Sequence, residues 1–486
     1  MNRPGACHQA LPLSALQQAG RAPALPLTLC LEGVPLRVRQ WLRVLPGQRY
    51  VAVAEWQGRA VLAKLLVGPR AERHYRREYQ GARLLLDQGL PSPELLANGY
   101  DAAEGAWLLF DYLAGARGLG LAWQQVASQP LLSEAQHQII RMALQLIARL
   151  HARGLWQDDL HLDNLLYLAG RLYLIDGGGV RAEVPGRPLS LQRIEENLGV
   201  FFAQLPASMD PFIEVLLASY RLGDGSQLLM LDALLEETAR ARRWRLRDLL
   251  KKTGRDCSLF SVRQQNGLWQ ALCRAEADWL APLLADPDAL LAGGERYKSG
   301  GTATVARLEQ AGRTLVIKRY NIKNWRHALG RCWRPSRAWH SWREAHRLAL
   351  LGIATPKPLA VIERRWHGLR RQAWLLTEWQ PGPDILDAFA PWLDGQVPEP
   401  YLLALDQLFA ALCRERVSHG DLKGHNLLWD AASNRWVLID LDGLHQYGSP
   451  RCFARAWRRD RQRFLRNWPA RSALYRLLDA RLPKTA

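Results

Sequence analysis

The sequence predicts an α+β fold in which two domains of the same kind follow one another, each with a small strand-rich lobe before a mainly helical lobe. One segment recurs late in each half of the chain, at 157–176 and again at 419–440. Ahead of each copy lie short apolar runs of strand character, then stretches with helical spacing at 135–151 and 401–413. The chain of 486 residues, 48% of them hydrophobic, is long enough to fill two or three cores.

The domain boundaries follow from changes along the chain. Residues 1–24 are rich in Ala, Leu, Gln and Pro without clear periodicity, which predicts a loosely ordered lead. The first domain should span 25–290, with strand turns at 32–33 and 57–58 and a helical stretch over 190–290. The second should span 291–486. Only 46 residues follow Asp440, so its helical lobe should be minimal and end in a basic helix.

The recurring segment carries chemistry as well as pattern. In each copy an Asp lies five residues before an Asn, and another Asp follows 12 or 14 residues later at the end of an apolar run. In kinase-type phosphoryl transfer the first Asp orients the attacking hydroxyl, while the Asn and the later Asp hold magnesium at the triphosphate. The order predicts two protein-kinase-like domains that use ATP and Mg²⁺. The predicted catalytic residues are Asp421 and Asp159, and the predicted metal ligands are Asn426, Asp440, Asn164 and Asp176.

Each copy also has the upstream half of such a site. Lys64 ends a strand-like run, and Glu78 opens a helical stretch 14 residues later. In the second copy Lys318 and Glu344 take the same order after an insertion. Each lysine and glutamate should form the ion pair that positions the α- and β-phosphates.

The two copies differ, and the differences favour the second as the more competent. Gly300 and Gly301 precede its lysine and can cover phosphates with backbone N–H groups, whereas the first copy has only Gly47 there. The first copy also has Gln157 where kinases often place His, so its catalytic loop should lose an internal brace. Its glycine run 177–179 predicts a mobile metal loop.

Two residues of the second copy complete the assignments. Asp442 provides a spare carboxylate near the metal, which we interpret as a turn residue rather than a partner of the site. Lys423, in the catalytic loop, is assigned to nucleotide binding.

The second copy resembles the lipopolysaccharide kinase family, the Kdo and heptose kinases of Gram-negative bacteria. The resemblance rests on segments at 300–305, 318–320, 351–360 and 419–423 and covers about 290–450 well and 45–180 more loosely. It implies ATP-dependent phosphorylation of a heptose or Kdo hydroxyl of the lipopolysaccharide core at the cytoplasmic face of the inner membrane, here in a tandem-domain form.

The charge of the chain points to an anionic partner. The formal net charge is +19, which suits nucleic acid, acidic lipid or a phosphorylated glycan. Two basic clusters, 318–347 and 453–468, interleave arginine with aromatic residues. We interpret them as a peripheral contact with the anionic inner-membrane surface or with acceptor phosphates; the alternative is a solvated face with the aromatic residues in the core. The aromatic and apolar members are Trp325, Trp333, Trp339 and Trp342, then Phe453, Trp457, Phe464, Leu465 and Trp468.

The expected cellular location of the protein rests on sequence patterns that are missing. No continuous apolar signal and no run of 18 apolar residues is present, and the seven cysteines form no CxxC pair, so a cytoplasmic protein peripheral to the inner membrane is expected. No zinc, RNP1 or helix-turn-helix motif supports nucleic acid as the partner. The sequence leaves the oligomeric state open.

Two other classes of function stay open. One is a different kinase-like transferase, such as an aminoglycoside-type small-molecule kinase or an atypical protein kinase. The other is a pseudokinase scaffold without catalysis.

Overall fold

The computed structural model of the protein describes residues 10–223, 225, 229–300, 303–321, 335–366 and 369–484. The chain divides into two compact units, Met1–Arg243 and Trp244–Ala486. Both units combine helices with mainly antiparallel sheets, so the predicted α+β class is confirmed. Over the described residues, no helix combines the length and the apolar character needed to cross a membrane.

The first unit opens with strands and continues into helices. Its strands are β1 (Leu11–Pro12), β2 (Leu27–Leu31), β3 (Val34–Leu45), β4 (Arg49–Trp56), β5 (Arg59–Leu66), β6 (Leu95–Asp101), β7 (Gly105–Asp111), β8 (Arg117–Gly118), β9 (Leu155–Gln157), β10 (Leu165–Leu168), β11 (Arg171–Leu174) and β12 (Val180–Ala182). Its helices are α1 (Ala71–Asp87), α2 (Leu119–Val126), α3 (Glu134–Ala152), α4 (Leu191–Phe202) and α5 (Ile213–Arg221), and α6 (Leu231–Lys252) runs across the division into the second unit.

The seven-stranded sheet of the first unit has the order β1-β2-β3-β4-β5-β7-β6. Its hairpins turn at 32–33 and 57–58, as predicted, where Gln57 and Gly58 both take positive φ angles. The helical part packs around α3, whose Ile140, Leu144 and Ile147 are buried because they recur at helical spacing. Between sheet and helices lie the short hairpins that carry the motif residues.

The lead before the first sheet is docked rather than loose. Leu13 and Leu16, on one 3₁₀ turn, are both buried in the core under the sheet. The Tyr50 hydroxyl lies 2.8 Å from the Leu16 carbonyl oxygen and 2.6 Å from that of Ala19. The expectation of a loosely ordered lead therefore needs correction over 11–19, because two leucines three residues apart are too few to show a helical period. Residues 1–9 lie outside the described part.

The second unit repeats the alternation of strands and helices. Its strands are β13 (Phe260–Gln265), β14 (Leu268–Cys273), β15 (Glu295–Ser299), β16 (Ala303–Gln310), β17 (Arg313–Tyr320), β18 (Pro358–Trp366), β19 (Leu369–Glu378), β20 (Val417–Ser418), β21 (Leu427–Asp430), β22 (Arg435–Leu438) and β23 (His445–Gln446). Its helices are α7 (Ala277–Leu283), α8 (Pro287–Ala292), α9 (Arg337–Leu350), α10 (Ile385–Phe389), α11 (Glu399–Arg414), α12 (Pro450–Leu465) and α13 (Ala473–Arg481).

The two large sheets share five strands in one order. The order β3-β4-β5-β7-β6 of the first unit matches β15-β16-β17-β19-β18 of the second, with the lysine strands β5 and β17 at the centre. The remaining two strands sit at opposite edges. In the first unit β2 and β1 lie beyond β3, and in the second β14 and β13 lie beyond β18.

The hairpin of β13 and β14 lies in the second unit, so the two halves divide earlier in the chain than predicted. Residues 260–273 form this hairpin, and its second strand, β14, pairs with β18. They therefore belong to the second sheet, whereas the sequence assigned them to a helical stretch of the first domain. The predicted boundary at 290/291 thus falls inside the second compact unit. The signal was present: Asn266-Gly267, both with positive φ, is the residue pair that favours a tight hairpin turn.

The basic C-terminal helix buries the aromatic residues that were assigned to a membrane surface. Phe453, Trp457 and Phe464 of α12 lie in the core of the second unit, and the Trp457 and Phe464 rings contact Phe409 of α11 with centroids 5.4 and 5.2 Å apart. Leu465 and Trp468 are buried with them. The interfacial interpretation of these side chains is therefore wrong.

The membrane interpretation of the first basic cluster, 318–347, needs the same correction for the tryptophans that the structure describes. Trp342 is fully buried, and Trp339 packs edge-on against Trp269 with ring centroids 5.3 Å apart. Trp325 and Trp333 lie outside the described residues. An arginine-rich helix that covers a core has the same sequence pattern as one that binds lipid, because both have one apolar and one basic face.

Docking of the lead gives a stability test. Leu16→Ala should lower the free energy of unfolding by about 2–5 kcal/mol because it leaves a cavity under the sheet. Leu11→Ala, at a side chain that is 47% exposed, should change it by less than about 0.5 kcal/mol. Urea unfolding followed by tryptophan fluorescence measures both, and equal effects would contradict the docked lead.

Candidate active site

In the first unit the structure brings the predicted lysine and glutamate together. Lys64, on the central strand β5, places Nζ 2.6 Å from Glu78 Oε2 on α1, and both side chains are buried. The same Nζ lies 3.3 Å from Asp176 Oδ1. Burial alone would raise the pKa of Asp176, but Lys64 and Arg49 outweigh it and hold the pKa at about 2. The carboxylate is therefore charged throughout the neutral range.

The catalytic loops of the two units have the same internal geometry. Asn164 Nδ2 donates to the Asp159 carbonyl oxygen at 2.8 Å, and Asn426 Nδ2 donates to the Asp421 carbonyl oxygen at the same distance. The Asn therefore fixes the turn that presents the Asp. In the first unit Lys64 and these loop residues line one cavity of about 400 Å³.

The later Asp of each copy has a left-handed backbone. Asp176 has φ of +66° and Asp440 has φ of +59°. Non-glycine residues seldom take this conformation, and it costs about 1–3 kcal/mol where it is imposed. Each Asp follows a hairpin, β10–β11 or β21–β22, whose last strand ends two residues before it. Two units that place the same residue type in the same strained conformation at the same point of the fold share a constraint on that carboxylate.

Gln157 replaces the histidine brace instead of removing it. In the second unit His419 Nε2 lies 2.9 Å from the Ile439 carbonyl oxygen, which ties the catalytic loop to the metal loop. In the first unit Gln157 Nε2 donates to the carbonyl oxygens of Ile175 and Asp176 at 2.9 and 3.0 Å. The expected loss of the brace is wrong, because a side-chain amide has an N–H donor that reaches the same acceptors.

A residue under each catalytic loop was missed by sequence reasoning. Asp460 of α12 is buried and accepts from the backbone N–H groups of His419 and Gly420 at 2.7 and 3.1 Å. In the first unit Asn197 of α4 donates to the Gln157 carbonyl oxygen at 2.7 Å and contacts His151. Asp460 carried a signal, since it is the one acidic residue of the arginine-rich helix α12. Asn197 carried none.

The glycine run of the first metal loop is packed, not mobile. The Gly178 N–H donates to Glu78 Oε2 at 3.1 Å. A Cβ built on Gly81 of α1 would lie 1.8 Å from the Gly177 carbonyl oxygen, so the helix and the loop touch backbone to backbone. The prediction of a mobile loop is corrected here, because these glycines permit close approach rather than freedom.

In the second unit the predicted ion pair is not formed. Lys318 Nζ lies 2.5 Å from Asp440 Oδ1 and 3.1 Å from Asp442 Oδ2. Glu344 instead pairs with Arg347 on its own helix at 2.6 Å. The reason lies in the helix register. Ser341 of α9 is the residue that meets the metal loop, and Glu344 comes almost one turn later.

Asp442 takes the place that Glu344 was expected to fill. Its Oδ1 accepts from the Tyr320 hydroxyl at 2.6 Å and from the Ser341 hydroxyl at 2.8 Å. Burial alone would lower the pKa of Lys318, but Tyr320, Asp442 and Asp440 raise it above its ordinary value. The interpretation of Asp442 as a turn residue is wrong. It is a partner of the lysine.

The proposed catalytic carboxylates differ in their surroundings. Asp421 is flanked by Lys423 Nζ at 3.0 Å and by Arg463 Nη1 of α12 at 3.2 Å. Asp159 is more exposed, with His161 Nε2 at 3.5 Å. Arg463 was counted among membrane-facing arginines, and its contact with Asp421 instead makes it part of the site.

The glycine-rich turn is described only in part. The Gly300 N–H donates to the Ala303 carbonyl oxygen at 3.2 Å, and its own carbonyl oxygen accepts from Asn321 Nδ2 at 3.0 Å. Gly301 lies outside the described residues.

These features define a class. A central-strand lysine beside a carboxylate, a loop Asp braced by an Asn, and a left-handed Asp after a hairpin are the parts of a kinase-type phosphotransferase site.

Comparison with known proteins then gives the family resemblance. Residues 292–469 match the sequence model of the Lipopolysaccharide kinase (Kdo/WaaP) family. The resemblance of the second half to the lipopolysaccharide core kinases is thus confirmed.

Individual relatives agree with this match. A 3-deoxy-D-manno-octulosonic acid kinase of Xylella fastidiosa strain M23 is 33% identical over 107 residues, which is 22% of this chain and 39% of that protein. The protein of the same description from strain M12 is 32% identical over 117 residues, or 24% of this chain and 43% of the relative. The chain thus matches about two fifths of the length of these curated relatives.

A solved structure described as WaaP in complex with acyl carrier protein aligns with 44% of this chain and 89% of its own chain, at 17% identity and a TM-score of 0.32. A similarity at this level defines neither fold nor function.

The exchange of Glu344 for Asp442 can be tested by paired variants. Asp442→Asn should lower phosphotransfer by about 10- to 100-fold, because it removes a carboxylate that orients the lysine. Glu344→Gln should leave phosphotransfer within about twofold, since that carboxylate serves Arg347. Steady-state kinetics with ATP varied measures both. A larger loss from Glu344→Gln than from Asp442→Asn would restore the original pairing.

Proposed function

We propose that the protein is a kinase that transfers the γ-phosphoryl group of ATP to a sugar hydroxyl of the lipopolysaccharide core, with the second unit as its catalytic domain. One observation carries the proposal. The family match over 292–469 contains, in order, Lys318, Asp421, Asn426 and Asp440.

The acceptor is most simply a Kdo hydroxyl. The relatives that match the chain are described as 3-deoxy-D-manno-octulosonic acid kinases, and they support Kdo over heptose. The core glycolipid is also an anionic molecule, which suits a chain of net charge +19.

Asp421 is the residue proposed to act on the acceptor. Its carboxylate is within reach of solvent, and an incoming hydroxyl can donate to one of its oxygens while the proton is transferred. Lys423 and Arg463 stand on either side of it at about 3 Å. These cations give donors for the oxygens of the transferring phosphoryl group.

The nucleotide and the metal ion are assigned to the opposite side of the same loop. Asn426 uses its N–H for the Asp421 carbonyl, so its amide oxygen is the atom left for a metal, and the Asp440 carboxylate is 41% exposed. One carboxylate and one amide oxygen, with phosphate oxygens, fit the ligand preference of Mg²⁺. When bound, Mg²⁺ neutralises charge on the triphosphate. Lys318, held by Asp442, supplies the cation for the α- and β-phosphates, and Gly300 belongs to the turn above them.

The first unit is proposed to be a second kinase-like domain. The order Lys64, Glu78, Asp159, Asn164 and Asp176 repeats that of the second unit, and the five shared strands support the comparison.

Attachment to the cytoplasmic face of the inner membrane is part of the proposal, and it would rest on charge alone. The aromatic residues of α12 are buried, but Arg455, Arg458, Arg459 and Arg466 are exposed on its outer face. Each arginine near anionic lipid adds about 1 kcal/mol.

The catalytic assignment predicts a clear loss. Asp421→Ala should lower transfer to the core sugar by about 10²–10⁴-fold and leave ATP binding nearly unchanged, because this group acts on the acceptor. Asp440→Ala should weaken magnesium-dependent ATP binding as well. Mass analysis of core oligosaccharide treated with enzyme and ATP measures transfer, and calorimetry measures binding. Full activity of Asp421→Ala, with Asp159→Ala inactive, would assign catalysis to the first unit.

The membrane proposal predicts a loss that depends on position. Arg458→Glu with Arg459→Glu should abolish sedimentation with acidic liposomes at low salt, because the exposed face of α12 then repels the lipid. The matched control is Arg240→Glu with Arg243→Glu on α6, which makes the same change of net charge elsewhere. Binding that ignores salt and both pairs, or that responds equally to both, would count against α12 as the attachment surface.

A further inference from the structure

Arg49 of the first unit reaches across the candidate nucleotide pocket. It begins strand β4, and its guanidinium pairs with Glu78 and lies 3.4 Å from Asp176 Oδ1. Lys64 contacts the same two carboxylates. Two cations therefore already balance the two acidic groups of this site.

Among the described residues of the second unit, the strand register puts an alanine at the position that corresponds to Arg49. In the first sheet Val51 pairs with Lys64, so Arg49 lies two residues before the partner of the lysine. In the second sheet Val305 pairs with Lys318, and the residue two before it is Ala303. An alanine side chain brings no charge to Asp440, whereas the arginine brings a guanidinium to 3.4 Å from Asp176 Oδ1.

This arrangement does not fit a divalent metal in the first unit. Asp176 corresponds to Asp440, the proposed metal ligand, yet its Oδ1 has cationic nitrogens at 3.3 and 3.4 Å. A metal at this oxygen would compete with two cations, whereas a metal at Asp440 Oδ1 would compete with one, Lys318 Nζ at 2.5 Å. Within the part of the chain that the structure describes, Asp440 has only Lys318 as an ion-pair partner. The magnesium predicted at Asn164 and Asp176 is therefore not supported by this geometry.

The pocket still has what a phosphate chain needs. Arg43, Arg49 and Lys64 line a cavity of about 400 Å³ together with the apolar Leu62 and Phe110. Arg49 Nε is buried and has no hydrogen-bond partner among the described residues. It is a donor still to be satisfied, and a phosphate oxygen is an acceptor that would satisfy it.

We propose that the first unit binds a nucleoside triphosphate without a divalent cation, and that the guanidinium of Arg49 stands where the second unit places its metal. This rests on the proposal that the first unit is a kinase-like domain. It does not depend on phosphotransfer by the second unit.

The test measures ATP binding by calorimetry in the full chain with Lys318→Ala and Asp440→Ala, which removes the lysine and the metal ligand of the second unit. Binding should persist in EDTA, and added Mg²⁺ should change the dissociation constant by less than about twofold. Lys64→Ala in the same background should remove the binding, which assigns it to the first unit.

Arg49→Ala places in the first unit the residue type that the second unit has at this register position, Ala303, and gives the critical comparison of ATP binding. In that background it should weaken ATP binding in EDTA by about tenfold or more and make binding depend on Mg²⁺. Arg39→Ala, which removes an exposed arginine from the adjacent strand β3, should leave both values unchanged. Thermal melting of each variant checks that the first unit stays folded.

Three results would overturn the proposal. The first is that Mg²⁺ tightens ATP binding tenfold or more in the chain that carries only Lys318→Ala and Asp440→Ala. The second is that this chain does not bind ATP in EDTA. The third is that adding Arg49→Ala leaves ATP binding in EDTA unchanged. All three concern binding in a chain whose second site is disabled, so they are separate from a failure of the proposed phosphotransfer, which is measured with Lys318 and Asp440 intact.

Discussion

A lysine on the central strand of each sheet must keep its positive charge where little water reaches it, and the surroundings of both sites are arranged around that requirement. A buried cation without a partner costs several kcal/mol, so a carboxylate has to stand beside it. In the first unit α1 supplies that carboxylate as Glu78, whose Oε2 also accepts from the Gly178 N–H of the metal loop. In the second unit the metal loop supplies Asp442, and α9 contributes the hydroxyl of Ser341. Acid and small residue have exchanged places between helix and loop, while the charge at the lysine stays balanced.

The catalytic loops of the two units are also supported by different residues in equivalent places. Both are held from below by a buried polar residue on a following helix, Asp460 in one unit and Asn197 in the other. The aspartate accepts from backbone N–H groups, whereas the asparagine donates to a carbonyl, so opposite hydrogen-bonding roles support similar turns. The asparagine in turn contacts His151, and burial lowers the pKa of that histidine to about 4, which keeps it neutral. Neutral bracing in the first unit and charged bracing in the second therefore give the same loop.

The sequence was most informative where a local pattern determines structure. The hairpin turns, the helices before each catalytic loop and the Asp and Asn positions were all predictable, because turns and helices depend on neighbouring residues. Prediction failed where a partner is distant. Glu344 is the expected residue type on the expected helix, but Ser341, almost one turn earlier, is the residue that meets the metal loop. Phe453 and Trp457 look interfacial until α11 packs over them.

Some distant features had signals that can be read in retrospect. Asn266-Gly267 marks the hairpin that shifts the division between the units, and the lone Asp460 marks the support of the catalytic loop. Arg49 had no signal of its own. It is one arginine among many in a basic chain, and only the strand register places it beside Glu78 and opposite Ala303 in the comparison of the two sheets.

The backbone contact between Gly81 and Gly177 also limits how the first unit can evolve. The second unit has Leu441 where the first has Gly177, and that leucine is buried in its core. A side chain gained at Gly81 would collide with the facing backbone, whereas one gained at Gly177 would lie 3.0 Å from the Ala82 backbone nitrogen and would require a small shift of α1. The two steps towards the arrangement of the second unit are therefore unequal, and the helix glycine is the one expected to persist in a lineage that holds both copies.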